Sequence, residues 1–409
     1  MLKARVDKKM ISYKFRLYPR PEQEKRQLWT LEKCRFVYNK MLEGLNRQEG
    51  KPNRLELQNS IPELKEKHPE LKKVYSKVLQ YESCRLFSNL KSLARLKKNG
   101  KKVGKLRFKG KGRFKTFTYN QSGFKIIETG KRHDLLHLSK IGNINIRVHR
   151  KVKEGKEEEE IKQVTVKRHS SGRWYAFICC KQTVPDKKEV KKVVGIDVGI
   201  IHYLTDTEGR QVEPPLYLNK SSKSLRRKQR KLSRKKKGSN NYKKQKIKVA
   251  RIHERIKNRR DDFLHKLSKF YVQNYDFITV EKLNINGLKK TSYNPRNIMD
   301  SSWNQFKQFL SYKAERAGKT VVEVDPRGTS QECYKCGKEV EKSLAVRTHK
   351  CPHCRLEIDR DYNSAFVVLK RGLENVLGQG LSEFTPGETE PLPREIPASS
   401  VVETGSSFR

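Results

Sequence analysis

The sequence predicts a multidomain α+β protein: a β-rich domain that accepts an inserted block of helices, then an α/β domain interrupted by a small cysteine module. Three observations carry that expectation. The hydrophobic period switches from helical to alternating near Gly100. Apolar strands and one-faced helices then take turns from residue 193 onward. Two Cys-x2-Cys pairs, only 14 residues apart, fall inside the second of these regions.

The 409 residues are enough for several domains, each with its own core. Lys and Arg total 94 against 45 Asp and Glu, so the formal charge is 94 − 45 = +49. Self-repulsion of that size is tolerable when a polyanion screens it, which makes nucleic acid the expected partner. No stretch approaches the ~18 apolar residues a membrane span requires, and "MLKARVDKKMISYKF" lacks the apolar core of a secretory signal. Cys34, Cys84, Cys179 and Cys180 sit within apolar patterns suited to buried thiols rather than to a disulfide framework. A reduced, cytoplasmic protein with no membrane partner is expected.

"SYKFRLYP", residues 12–19, alternates Tyr13, Phe15 and Leu17 with Lys14 and Arg16, as a half-buried strand does. Pro21, with Glu22 and Glu24 behind it, opens a helix at its positive end. Leu28, Leu31, Val37, Met41 and Leu45 would form that helix's apolar face. A Pro/Glu/Lys-rich connection leads to a second helical region at about 71–98. From Gly100, "GKLRFKGKGRFKTFTYNQSGFKI" interleaves Phe108, Phe114, Phe117 and Tyr119 with Lys and Arg. "INIRVHR", "IKQVTVKR" and "RWYAFICCK" alternate as strands. Residues 12–19 and 100–182 therefore read as one β-rich domain around helices 21–98. Aromatics mixed with cations suit base stacking and phosphate contact; a core with a solvated basic face is the competing reading.

After the charged linker 183–192, "VVGIDVGIIHYLTDTEGRQVE" reads as an apolar strand, a turn and a hairpin around Glu208-Gly209. Residues 220–260 hold 20 Lys/Arg against one acid, Glu254. In the second half of this segment and beyond it, Val249, Ile252, Ile256, Phe263, Leu267 and Phe270 mark one helix with a buried stripe. "YDFITVEKL" is a buried strand ending in Glu281, "SSWNQFKQFLSYKAERAG" a helix with Gly318 at its C-terminus, and "KTVVEVD" another strand. A short helix from about Asn363 follows the cysteines, and the Pro-rich tail from 381 is expected to be disordered.

Cys333, Cys336, Cys351 and Cys354 form two tight turns, "CYKC" and "CPHC". Each points two thiolates at one ion, and together they complete a tetrahedron, as in structural zinc sites. The gap of 14 is just under the usual roughly 15–20. Four protein ligands leave no open position, so this Zn2+ is expected to organise structure rather than react.

Asp197 ends one apolar strand within "GIDVGI", Glu281 ends another within "TVEKL", and Asp361 opens the last helix. A carboxylate at a buried strand end carries a desolvation cost unless a cation compensates. A single acid of this kind is usually capped or ion-paired, but one sheet edge can gather all three. Three carboxylates suit Mg2+ or Mn2+, and two such ions about 3.5–4 Å apart drive in-line phosphodiester displacement. "GIDVG" also suits actin-like ATPases, yet no Gly-rich phosphate loop follows it. A nuclease of the ribonuclease H type fits better.

In order, "GIDVGI", the basic helix ending "RRDDFLHKLS", "VEKLNINGL", "TSQECYKCG" and "CPHCRLEIDRDYNSA" resemble the TnpB family. These are transposon-encoded RNA-guided nucleases related to the ancestors of type V CRISPR effectors, and the resemblance covers residues 10–375. It implies a wedge β-barrel, residues 1–20 and 100–185, around a helical recognition domain, 21–99. It implies a RuvC-like nuclease of ribonuclease H fold, residues 186–327 and 357–380, interrupted by a zinc ribbon at 328–356 that binds target nucleic acid, with the tail at 381–409. By motif, the catalytic Mg2+ ligands correspond to Asp197, Glu281 and Asp361, which would hold two Mg2+ (or Mn2+) ions beside the one structural Zn2+. Within "DRDYNSA" the family's ligand is the acid two residues before Asn363, so Asp359 is expected to be a flanking structural or solvated acid. Ser364 stands where the family has the first of two alanines.

The implied activity is that of an RNA-guided DNA endonuclease in the prokaryotic cytosol. It would bind a structured noncoding guide RNA from its own element, recognise a short motif beside a double-stranded DNA target, and cleave by two-metal-ion hydrolysis. Candidate nucleic-acid contacts are Lys77 and Gln80 for the adjacent motif. Arg107, Lys109, Arg113 and Phe117, with Arg226, Arg227, Arg234, Lys235 and Arg259, are candidates for the backbones. The alternatives are a nuclease-inactive RNA-guided repressor, which the intact triad counts against, and a transposase, for which no clear N-terminal helix-turn-helix stands out.

Overall fold

In the computed structural model, β1 (Lys8–Tyr18) buries Ile11, Phe15 and Leu17 on one face, as the alternation predicts. The structure describes residues 8–47, 53–130, 132–150, 161–291, 295–343, 346–377 and 394–396, and divides into two units, Met1–Thr183 and Val184–Arg409.

In the first unit, α1 (Pro21–Arg47) buries Leu31, Cys34, Val37, Tyr38, Met41 and Leu42, while Leu28 is exposed, against expectation. The rest of the expected stripe holds, and at the start of the helix the buried face is made by Gln27 and Thr30 instead of Leu28. The expected connection is instead α2 (Arg54–Asn59), α3 (Ile61–Lys67) and a 3-10 turn, Pro69–Lys73. Asn53 Oδ1 caps α2 by accepting the Leu55 N–H at 2.9 Å, and Leu57, Ile61 and Leu71 are buried. Helix α4 (Ser76–Lys98) closes the block.

The strands β2 (Thr116–Asn120), β3 (Phe124–Ile127), β4 (Asp134–Leu138), β5 (Gly142–Arg147), β6 (Ile161–Arg168) and β7 (Trp174–Thr183) complete a sheet of order β2-β6-β7-β1-β5-β4-β3. Every pairing is antiparallel, and β1 sits between β5 and β7, strands more than a hundred residues later in the chain. The edges β2 and β3 are joined by residues 121–123, and the Tyr119 hydroxyl donates to the Ser139 carbonyl at 2.7 Å, so the sheet nearly closes. A closing sheet puts its large side chains inside. Phe114, Phe117 and Tyr119 are buried, so Phe117 is a core residue and not an exposed platform for a base. Phe108 alone of that aromatic series is exposed, at 57 %.

The second unit begins with β8 (Val193–Asp197), β9 (Leu204–Asp206) and β10 (Arg210–Val212). Two long helices follow, α5 (Tyr217–Ser233) and α6 (Asn240–Asn274), so the basic segment is a helical hairpin rather than helical only in its second half. Ser239 caps α6 by accepting the Tyr242 N–H at 3.1 Å. Next come β11 (Phe277–Glu281), α7 (Ile285–Thr291), α8 (Pro295–Ser301), α9 (Trp303–Arg316) and β12 (Thr320–Val324). The small strands β13 (Thr348–Lys350) and β14 (Glu357–Asp359) pair with each other and lead into α10 (Arg360–Leu377). The tail expectation at 381–409 lies outside the described residues, except that β15 (Arg394–Ile396) pairs with β10.

The main sheet has the order β12-β11-β8-β9-β10-β15, with β12, β11 and β8 parallel. Phe263 and Phe306 meet the Tyr203 ring edge-on, at 5.2 and 5.9 Å, in its core. Helix α10 lies directly on β8 and β11 because two glycines permit it. A Cβ at Gly195 would meet the Ala365 carbonyl oxygen at 2.2 Å, and one at Gly372 would meet Thr279 Cγ2 at 1.9 Å. Among the described residues no helix is long and apolar enough to cross a membrane.

Candidate active site and metal centre

The strand register sets the first two carboxylates side by side. In the parallel pair β8 and β11, Thr279 is level with Gly195 and Val280 with Ile196, so Glu281 comes next beside Asp197. Strand side chains alternate, so Asp197 and Glu281 share the face of Gly195 and Thr279, which α10 covers. From Gly195 to Asp197 is about 6.6 Å along a strand, and from Ala365 back to Asp361 is about 6 Å along a helix. The first turn of α10 therefore hangs over the strand ends.

The electrostatics agree. The Asp197 carboxyl is held well above the usual carboxylate range by burial first, then by the charges of Glu281 and Asp361, with Arg360 pulling the other way. Glu281 is raised by burial, against the pull of Thr329, whose hydroxyl lies 2.6 Å from Glu281 Oε1. Asp361 is turned to cations: Arg360 holds its Oδ1 at 2.9 Å and Arg347 approaches its Oδ2 at 3.7 Å. The three carboxylates are thus gathered but not collapsed. Among the described residues, only the four cysteine sulfurs form a set of potential ligand atoms all within 4.8 Å of one another. Like charges that lack a shared cation spread apart, and one of them keeps its proton. An all-oxygen donor set of three acids fits Mg2+ or Mn2+.

Asp359 is the cap of α10. Its Oδ1 accepts the N–H groups of Asp361 and Tyr362, both at 2.9 Å.

The cysteine module has two knuckles of one design. The Cys333 and Cys351 carbonyls accept from Gly337 and Arg355, and their N–H groups donate to the Lys338 and Leu356 carbonyls, at 2.8–3.0 Å. Gly337 and Arg355 both have φ in the left-handed region, +71° and +59°. The Sγ separations, 3.6 Å for Cys333–Cys354 and 3.5 Å for Cys336–Cys351, are those of sulfurs around one ion and far too long for disulfides. Backbone N–H groups of Lys335 and Cys336 point at the Cys333 sulfur, and those of His353 and Cys354 at Cys351. Such donors favour thiolates, so the set fits Zn2+.

Of the sequence-read nucleic-acid contacts, Lys77, Arg107, Arg113, Arg226, Arg227, Arg234, Lys235 and Arg259 are exposed. Gln80 and Lys109 are half-buried, and the Lys109 backbone is pinned by Asn39 and Arg35. The sequence reading missed Arg360, Arg347 and Thr329. A cation between two acids in "DRD" could have flagged Arg360. Nothing local marks Thr329, which reaches a residue 48 positions away.

Residues 177–292 match a family described as "Probable transposase" (OrfB_IS605), 303–368 match "Cas12f1-like, TNB domain", and 10–50 match "Helix-turn-helix domain". That last segment folds here as β1 and the single helix α1 over its described residues. A Streptomyces pristinaespiralis protein named as an RNA-guided DNA endonuclease is 33% identical over 90% of this chain and 91% of its own. InsQ of Escherichia coli (strain K12), likewise named, is 31% identical over 89% and 93%. The solved Cas12f1 chain from a complex with sgRNA and target DNA shares the fold, with a TM-score of 0.56 at 17% identity, over 85% of this chain and 82% of that one.

Proposed function

The chain belongs to the TnpB family of RNA-guided DNA endonucleases, and from that premise we propose that it binds a guide RNA from its own transposon and cuts DNA beside a short recognition motif. In this reading the seven-stranded sheet is the wedge barrel, and the helices between β1 and β2 are the recognition domain. The sheet bearing Asp197 is the RuvC-like nuclease, and the four-cysteine module is its zinc ribbon. The observation that carries it is the approach of Asp197, Glu281 and Asp361 to one end of a parallel sheet, with the Asp197 carboxyl buried beside the other two acids.

Asp197, Glu281 and Asp361 would hold Mg2+ or Mn2+, which when bound would activate a water and stabilise the leaving oxygen. The residues do the rest. Thr329 fixes the Glu281 carboxylate, and Asp359 fixes the helix turn that presents Asp361. A cation held there would favour the ionised form of the buried Asp197 carboxyl. Arg360, paired with Asp361 here, would be free to pair with a phosphate if that contact were exchanged. The exposed cations of α5 and α6 would grip backbones, since phosphate contact is sequence-independent while guide pairing reads sequence.

The test is to purify the chain with the RNA flanking its gene, sequence the bound RNA, and offer DNA matched or mismatched to its variable end. Cleavage confined to the matched target is expected; no co-purifying RNA, or cutting blind to the match, refutes the proposal.

A further inference from the structure

Residues 325–334, from the end of β12 into the first cysteine knuckle, touch both Glu281 and the helix that carries Asp361. Thr329, 4 % exposed, has one hydroxyl proton and two acceptors in reach, Glu281 Oε1 at 2.6 Å and the Pro326 carbonyl at 3.0 Å. The shorter contact, to a carboxylate, takes the proton. Five residues on, the knuckle is clamped to the helix carrying Asp361. Asn363, fully buried, accepts the Tyr334 N–H on its Oδ1 at 3.1 Å and donates from Nδ2 to the Glu332 carbonyl at 2.7 Å. Tyr334 stacks on Phe366 with ring centroids 4.7 Å apart. Arg371 ties the same segment down through Glu332 at 2.6 Å and the carbonyls of Asp325 and Arg327 at 3.0 and 2.7 Å.

Cys333 lies between the two residues that Asn363 holds. An ion gathering the four sulfurs therefore fixes the backbone that Asn363 reads, and with it the first turn of α10. The same segment carries Thr329 to Glu281. We propose that Thr329 and Asn363 are positioning residues that join the cysteine ribbon to the carboxylates, so that zinc in the ribbon and a divalent ion at the carboxylates bind with positive coupling. The inference rests on the metal-binding reading of Asp197, Glu281 and Asp361. Coupling is reciprocal, so each ion strengthens the other's hold. Groups that orient ligands in this way are typically worth about 10–100-fold in metal affinity.

The experiment is Mn2+ binding to the full chain, read from the loss of the free-ion electron paramagnetic resonance signal, with zinc content measured alongside. Thr329→Val should weaken Mn2+ binding about tenfold, and Thr329→Ser, which keeps the hydroxyl, should restore it. In the wild type, protein stripped of zinc should bind Mn2+ about tenfold more weakly than protein reloaded with it. Asn363→Ala should retain its zinc, bind Mn2+ weakly when loaded, and respond little to stripping. Wild-type affinity in Thr329→Val together with wild-type zinc dependence in Asn363→Ala overturns the inference while leaving the metal site intact. Asp361→Ala separates the two claims: full Mn2+ affinity in that variant removes the site itself.

Discussion

Asp359 and Asp361, two residues apart, do different work. The Asp359 carboxylate accepts the Asp361 N–H at 2.9 Å, while the Asp361 carboxylate reaches Arg360 and stays near Asp197. Losing a helix cap costs about 1 kcal/mol, so Asp359→Ala should lower the melting temperature yet leave substantial cleavage. Asp359→Asn, which can still cap, should be near wild type. Cleavage abolished by Asp359→Asn in a folded protein would reverse the two roles.

With Asp361 as the proposed metal ligand, Arg360 would compete with the ion for that carboxylate. Its guanidinium must give way before a divalent ion can use both oxygens of that carboxylate. Removing a partly exposed ion-pair partner worth ~1 kcal/mol should strengthen Mn2+ binding about fivefold in Arg360→Gln. Maximal cleavage should fall if Arg360 also meets the scissile phosphate. Mn2+ titration and single-turnover rates separate these effects, and unchanged Mn2+ affinity would contradict the competition.

Glu82, wholly buried between α1 and α4, is pushed up to about 8 by burial, with Arg85 at 3.3 Å pulling the other way. Between the ordinary value of 4.5 and about 8 the folded protein keeps a proton that the unfolded chain releases. Stability therefore falls as pH rises through that window, by up to ~1.4 kcal/mol per pH unit, and levels off above it. Glu82→Gln should remove this slope. Thermal unfolding at pH 6 and pH 8.5 would show it as a relative gain for the variant at the higher pH; parallel pH dependence in both proteins would refute it.

The knuckle pair offers a stabilising change. Arg355 occupies the left-handed conformation that glycine fills at the equivalent Gly337. Arg355→Gly should gain about 0.5–1 kcal/mol in the ribbon, read as slower zinc release to a chelator. Faster release would mean that the Arg355 side chain holds the turn.

What could be read in advance followed from local pattern. Apolar runs ending in Asp197 and Glu281 identified strands whose ends carry acids, and the cysteine spacing needs only a few residues of chain to imply its ion. Phe117 misled because an alternating basic-aromatic strand reads the same whether its aromatic face is open or closed over a core. The 54–67 helices were missed because Leu57 and Ile61 form too short a stripe to show a period, and their burial depends on other helices. The Thr329–Glu281 and Asn363–Tyr334 bonds depend on how separate segments pack, which no local window contains.

The most direct test measures guided binding and cleavage side by side. With bound guide RNA and a matched target, the wild type should bind and cut, whereas Asp197→Ala and Asp361→Ala should bind with similar affinity and lose cleavage by roughly a hundredfold to a thousandfold, the scale of a removed electrostatic catalytic group. Cutting at the wild-type rate by either variant would contradict the account.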